Sequence, residues 1–272
     1  MRRIMVLALA LPWWAGCALS RLYAEPLSPQ GEIVTARTED GWSIAMIRHR
    51  AEGSASGPPV LLCHGISANA RNLDLDAEHS LARWLAAHGR ETFAMSLRGV
   101  GDSDRPDPHA GRSFGYSMDT YAAEDLPAAL ARVRELTGAP QVDFVGHSMG
   151  GLVGYIYLAR GGKGIGSAAF LGSPTRFVWG HSRQQDLARA GGLLADSIEY
   201  LDVPALAHMT APFHGKVPTL FDVLLYNPDN VSPTLWRKFV ATGVGSISGG
   251  VLRQFTLWMQ TDKMLSADGT MD

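Results

Sequence analysis

Ser148 lies in Val142-Asp143-Phe144-Val145-Gly146-His147-Ser148-Met149-Gly150-Gly151, an apolar run that ends in Gly-X-Ser-X-Gly and leads into a second apolar stretch, Leu152 to Leu158. A serine between a strand and a helix sits on a tight elbow, exposed and strained, where its hydroxyl can attack an electrophilic carbon. Gly146 and Gly150 fall where the two arms of such a turn approach, and a Cβ there would clash. The N–H groups and partial positive charge at the start of the following helix would face an alkoxide or tetrahedral oxyanion formed beside Ser148. The bare pattern is weak; the strand before it and the helix after it give it weight.

The elements that must hold this serine follow from the apolar spacing. Glu32 to Arg37 and Trp42 to His49 flank Glu39-Asp40-Gly41 and read as a hairpin. Gly57-Pro58-Pro59 precedes the strand Val60-Leu61-Leu62-Cys63. A helix follows with Leu81, Trp84 and Leu85 on one face and Gly89 as its stop; the next strand is Glu91 to Leu97, ending at the glycine-rich turn Arg98 to Asp104. Leu126, Leu130, Val133 and Leu136 mark an amphipathic helix closed by Gly138 and Pro140. After the elbow comes one more strand, Ser167 to Leu171. Strands alternating with helices predict an α/β fold, a mainly parallel, doubly wound sheet. Such sheets carry their sites at the carboxyl ends of the strands, where His64-Gly65, Arg98-Gly99 and Ser148 all fall.

Charge stabilisation at Ser148 needs two backbone donors. The expected pair is the N–H of Ile66, in the loop after Leu61-Leu62-Cys63-His64-Gly65, and the N–H of Met149. His64 reads as a structural turn histidine, and His147 as a packing residue directed away from the serine.

From about residue 176 to residue 260 apolar residues are dense at helical spacing, among them Phe177, Trp179, Leu224, Trp236, Phe239 and Trp258. This segment is expected to be a helical cap inserted after the sixth strand and lying over the site, with residues 25–175 as the core and 261–272 as a tail.

At the amino end Arg2 and Arg3 precede the apolar run Ile4 to Trp14, too short to span a bilayer but of the length of a signal-peptide core, so residues 1–24 are expected to direct export. Two processing routes stay open. Trp14-Ala15-Gly16-Cys17 resembles a bacterial lipobox, apart from Trp14, and would leave Cys17 lipidated and membrane-associated; ordinary cleavage after Ala18 or Ala24 would leave a soluble periplasmic or secreted protein. Cys17 and Cys63 are the 2 cysteines, so no disulfide framework is expected and Cys63 reads as a small buried hydrophobe. A net charge of −2 gives no reason to expect nucleic acid as a partner.

Together these residues resemble the α/β-hydrolase superfamily, and within it the acid lipases, the group of gastric and lysosomal lipases. The likeness rests on Leu62-Cys63-His64-Gly65, Ser96-Leu97-Arg98-Gly99, Phe114-Gly115-Tyr116-Ser117-Met118-Asp119, Asp125-Leu126-Pro127-Ala128 and Gly146-His147-Ser148, across roughly Val34 to Thr175. It implies hydrolysis of carboxylic esters, often lipids, without metal or organic cofactor. Thioester or amide acyl transfer uses the same fold and is not separated from ester hydrolysis by these residues.

The resemblance also implies an acid after the seventh strand and a histidine after the eighth, and neither is found here. Gly172-Ser173-Pro174-Thr175 offers no carboxylate, and no β-rich run follows the cap segment. The expectation is a chain without its last two core strands, a fragment or a catalytically silent remnant. The other possibility is that His208 or His214, with Asp222 or Asp196, replaces the missing pair; His181 also falls within the cap segment.

Overall fold

The computed structural model describes residues 31–176, 198–210 and 229–270. The export segment with Cys17, and His181, His214, Asp196 and Asp222, lie outside these residues.

Six strands form one sheet in the order β1-β2-β4-β3-β5-β6. They are β1 (Glu32–Arg37), β2 (Ser43–His49), β3 (Val60–Cys63), β4 (Thr92–Met95), β5 (Val142–His147) and β6 (Ile165–Leu171). The expected hairpin forms, with Glu32 opposite Arg48 and Arg37 opposite Ser43, and β2 runs antiparallel to β4. From β4 to β6 all pairings are parallel. The chain leaves β3 for β4 on one side, then crosses back to β5 on the other. The carboxyl ends of β3 and β5 therefore flank the point where strand order reverses, the place at which such sheets leave a crevice.

Side chains alternate across β3. Leu61 and Cys63 pack with Ile44, Phe93 and Met95 against α2 (Leu126–Thr137) and α3 (Met149–Ala159), whereas Val60 and Leu62 pack with Ile47 and Ala94 against Ala82 of α1 (Leu81–Ala87). Cys63 is fully buried, and burial pushes its thiol far above the ordinary range, so it acts as the small hydrophobe expected. The expected face of α1 is met in part: Leu81 and Leu85 pack against the core beside the buried Ala82 and Ala86, while Trp84 is 58% exposed and stacks on His88. The strand expected over Glu91 to Leu97 pairs only over Thr92–Met95, and the helix expected from Leu152 begins at Met149.

Segments remote in sequence are joined by buried polar contacts. Arg98, 2% exposed, donates through Nε to Asp125 Oδ1 at 2.6 Å, through its backbone N–H to Asp125 Oδ2 at 2.8 Å, and to Asp40, and its guanidinium lies over Trp42. With the carboxylate and guanidinium both out of water, removing either would strand a buried charge.

In the segment where helices alone were expected, β7 (Tyr200–Leu201) pairs antiparallel with β8 (Ile247–Ser248), alongside α4 (Val203–Thr210), α5 (Pro233–Thr242) and α6 (Gly249–Thr261). A two-residue ladder leaves no periodicity to detect. Helix α6 sits on the core: Gln254 Oε1 accepts the Met118 N–H at 2.9 Å, Ser248 Oγ donates to Tyr116 O at 2.6 Å, and Trp258 is 1% exposed.

Candidate active site

Ser148 caps α3 with φ +50° and ψ −119°, a region that non-glycine residues rarely occupy and that costs of order 1–3 kcal/mol. Hydrogen bonds hold it there. Its N–H donates to Leu171 O of β6 at 2.8 Å, and its carbonyl accepts from Gly151 and Leu152 at 3.0 and 3.2 Å. The flanking glycines are required by contact: a Cβ on Gly146 would lie 2.6 Å from Gly151 N, and one on Gly150 would lie 2.6 Å from His64 O. Thus the start of α3 is pressed against the end of β3, which places Ser148 beside the loop carrying Ile66.

Ser148 and Ile66 line one cavity of about 300 Å³, together with Gly65, Ser67, Ala68, Asn72, His147 and Gly172. Its other wall is apolar: Val203 and Ala207 of α4, Trp236, Phe239 and Val240 of α5, and Val244. The roof is tied to the loop beside the serine. Asn69 donates its N–H to Gly243 O at 3.0 Å, Gly245 donates to Ser67 O at 2.9 Å, and Lys238 Nζ meets Asp76 Oδ2 at 2.8 Å.

Among the described residues, neither the N–H of Ile66 nor that of Met149 has a hydrogen-bond acceptor. The Met149 side chain is packed in the core, 3% exposed, while its amide opens α3 next to Ser148.

His64 is structural in its bonding. Nδ1 donates to Gly65 O at 2.8 Å and Nε2 accepts the Leu97 N–H at 3.1 Å, so both ring nitrogens are used. Burial pulls its pKa down to about 4, which keeps the ring neutral as this pattern requires.

His147 departs from expectation. It lines the Ser148 cavity instead of being lost in packing, and its Nδ1 lies 2.7 Å from Asn72 Oδ1. The same oxygen accepts the Gly65 N–H at 3.3 Å. That second bond identifies the oxygen of the amide, so His147 Nδ1 carries the proton and donates it. Burial lowers the His147 pKa, in keeping with a neutral ring. Asn72 was not singled out in the sequence. It ends a three-residue 3-10 helix, 75 positions from its partner, and looks there like any loop asparagine.

No Asp or Glu is among the described residues lining this cavity. His208, one of the possible replacements for the missing base, lies on α4 but lines a different cavity.

The model of the alpha/beta hydrolase fold matches residues 58–254. Curated relatives include Lipase 1 of Drosophila melanogaster, 32% identical over 44% of this chain and 28% of that protein. Human gastric triacylglycerol lipase is 33% identical over 44% of this chain and 32% of its own length, and human lysosomal acid lipase/cholesteryl ester hydrolase is 33% identical over 47% and 35%. The chain spans about a third of the length of these curated relatives. Among solved structures, an esterase from Exiguobacterium antarcticum superposes with a TM-score of 0.52 at 18% identity, over 87% of this chain and 75% of that one, a likeness of fold. With the elbow, the sheet order and a family match over most of its length, the chain belongs to the α/β-hydrolase fold family.

Proposed function

We propose that this protein is a serine hydrolase of carboxylic esters, with Ser148 as nucleophile and the N–H groups of Ile66 and Met149 as oxyanion donors. The observation that carries the reading is a strained, half-buried serine opening into an apolar cavity beside two N–H groups that have no acceptor among the described residues.

Ser148 Oγ attacks the ester carbonyl carbon and its proton passes to a base. The carbonyl oxygen becomes an oxyanion between the two N–H groups, each worth roughly 3–4 kcal/mol of barrier. The tetrahedral intermediate expels the alcohol, which takes up the proton, and water then releases the acid from the acyl-enzyme. No metal or organic cofactor enters these steps. The acyl chain would lie against Val203, Ala207, Phe239 and Val240, gaining about 0.8 kcal/mol per buried methylene. A cavity of about 300 Å³ is at the small end for ligand sites, which favours short acyl chains. The lipase relatives, a triacylglycerol lipase and a cholesteryl ester hydrolase, also point to acyl esters.

We place α4 and α5 in the role of a cap over the site. We also propose export through residues 1–24, with Cys17 either lipidated or removed.

A second reading is a chain that retains ester ligands without turning them over. It is favoured by the absence of a carboxylate among the described cavity residues, since an imidazole base needs an orienting acid. Hydrolysis of p-nitrophenyl butyrate by the full chain, compared with Ser148→Ala, separates the two: turnover lost in the variant supports the hydrolase, and a folded wild type that binds butyrate esters without turnover supports the second reading.

A further inference from the structure

A second polar cavity lies apart from the one at Ser148. A space of about 600 Å³ lies across the wall formed by Ala68 and Val244, lined by Arg71, by the turn Gly99 to Asp102, and by Arg105, Asp202 and His208. Val244 is common to both cavities, so they are neighbours separated by a single bridged pair of backbone segments.

Arg71 is the unusual member. It is 7% exposed, yet among the described residues its guanidinium makes no hydrogen bond, and its ion-pair contact, Asp74 Oδ2, is 4.0 Å away. Asp74 is already engaged: its oxygens accept from Ser80 Oγ at 2.7 Å and Arg83 Nε at 3.1 Å, and meet His49 Nε2 at 2.9 Å. The Asp74 carboxylate is thus shared between two guanidinium groups and His49, and Asp102 also acts on Arg71 electrostatically. Asp102, Asp202 and Arg105 are exposed at its edge, where water screens them. The Arg71 nitrogens are not among the enclosed, unpartnered side-chain atoms, so this largely buried guanidinium opens to the cavity it lines, and a planar oxyanion there would match its fork.

We propose that this second cavity binds a small organic molecule through an oxyanion group, a carboxylate or phosphate, with Arg71 as the buried cation that receives it. The volume leaves room for a body beyond the charged group. The site stands apart from the reading of Ser148 and does not depend on ester turnover.

The test is isothermal titration of the full chain with sodium butyrate and, separately, inorganic phosphate, each at matched ionic strength. Saturable binding of at least one is expected. Preference for butyrate would assign an organic carboxylate, and preference for phosphate a phosphate-bearing ligand. Arg71→Gln should weaken binding at least tenfold, and Arg105→Gln, at the screened edge, by less than threefold. Because Arg71→Gln could disturb folding, Ala205→Trp provides a second arm: it fills the cavity from α4 without touching Arg71 and should lower butyrate affinity at least tenfold. No saturable binding of either anion to the wild type, or binding unchanged in a folded Arg71→Gln or in Ala205→Trp, would overturn the proposal.

Discussion

Asn72 Oδ1 takes hydrogen bonds from two sides at once, from His147 Nδ1 at 2.7 Å and from the Gly65 N–H at 3.3 Å. The first belongs to the elbow and the second to the loop carrying Ile66, so one side-chain oxygen sets the distance between the two parts of the proposed oxyanion site. Asn72→Leu leaves both donors unpaired. The expected cost is roughly 1–3 kcal/mol for each donor left buried, read as a lower midpoint in urea unfolding. Ester turnover should fall through kcat more than through KM, because donors out of place affect the transition state most.

His64 makes stability depend on pH. Its folded pKa of about 4 lies below the ordinary 6.5, so the unfolded chain takes up a proton first as the pH falls. Its contribution is complete above about pH 6.5 and is lost toward pH 4, at about 1.4 kcal/mol per pH unit. Burial pushes the Asp125 carboxyl up to about 7, against the pull of Arg98, and this works in the opposite direction over the same range. Comparison with His64→Gln isolates the histidine, since glutamine can accept from Leu97 and donate to Gly65 without titrating. The wild type should lose roughly 3 kcal/mol more than the variant between pH 6.5 and 4. Equal losses would mean that His64 is already charged in the fold.

Phe239 sets the depth of the acyl wall. Phe239→Ala should lower kcat/KM for p-nitrophenyl butyrate by about 5- to 30-fold, the equivalent of about 1–2 kcal/mol of apolar contact. The preferred chain should lengthen toward octanoate. An unchanged chain-length profile would place the acyl group elsewhere.

For export, Cys17→Ser separates the two processing routes. Lipobox processing predicts that palmitate incorporation disappears and precursor accumulates in the bacterial host, whereas unchanged processing means cleavage after Ala18 or Ala24.

The parts of this molecule legible in its sequence are those fixed by local contacts. Gly146, Ser148 and Gly150 announce the elbow because three nearby backbone positions must pass within van der Waals reach of one another. The hairpin around Gly41 and the α2 stop at Gly138, both at positive φ, are equally local. What stayed hidden depends on distant partners. Asn72 has meaning only once β3 and β5 are paired, and Arg71 shows its missing acceptor only when Asp74 is seen to be engaged. Helical spacing put Trp84 on one face with Leu81 and Leu85; Leu81 and Leu85 pack against the sheet beside the buried Ala82 and Ala86, but Trp84 turns outward, 58% exposed. The β7–β8 pair is too short for any alternation to register.

The most direct test of the account is active-site labelling with a fluorophosphonate, followed by peptide mass spectrometry and by p-nitrophenyl butyrate turnover on the same samples. The account predicts a single adduct on Ser148 in the wild type, with adduct and turnover both lost in Ser148→Ala. Turnover at the wild-type rate in Ser148→Ala, or an adduct on another residue of the folded chain, would contradict it.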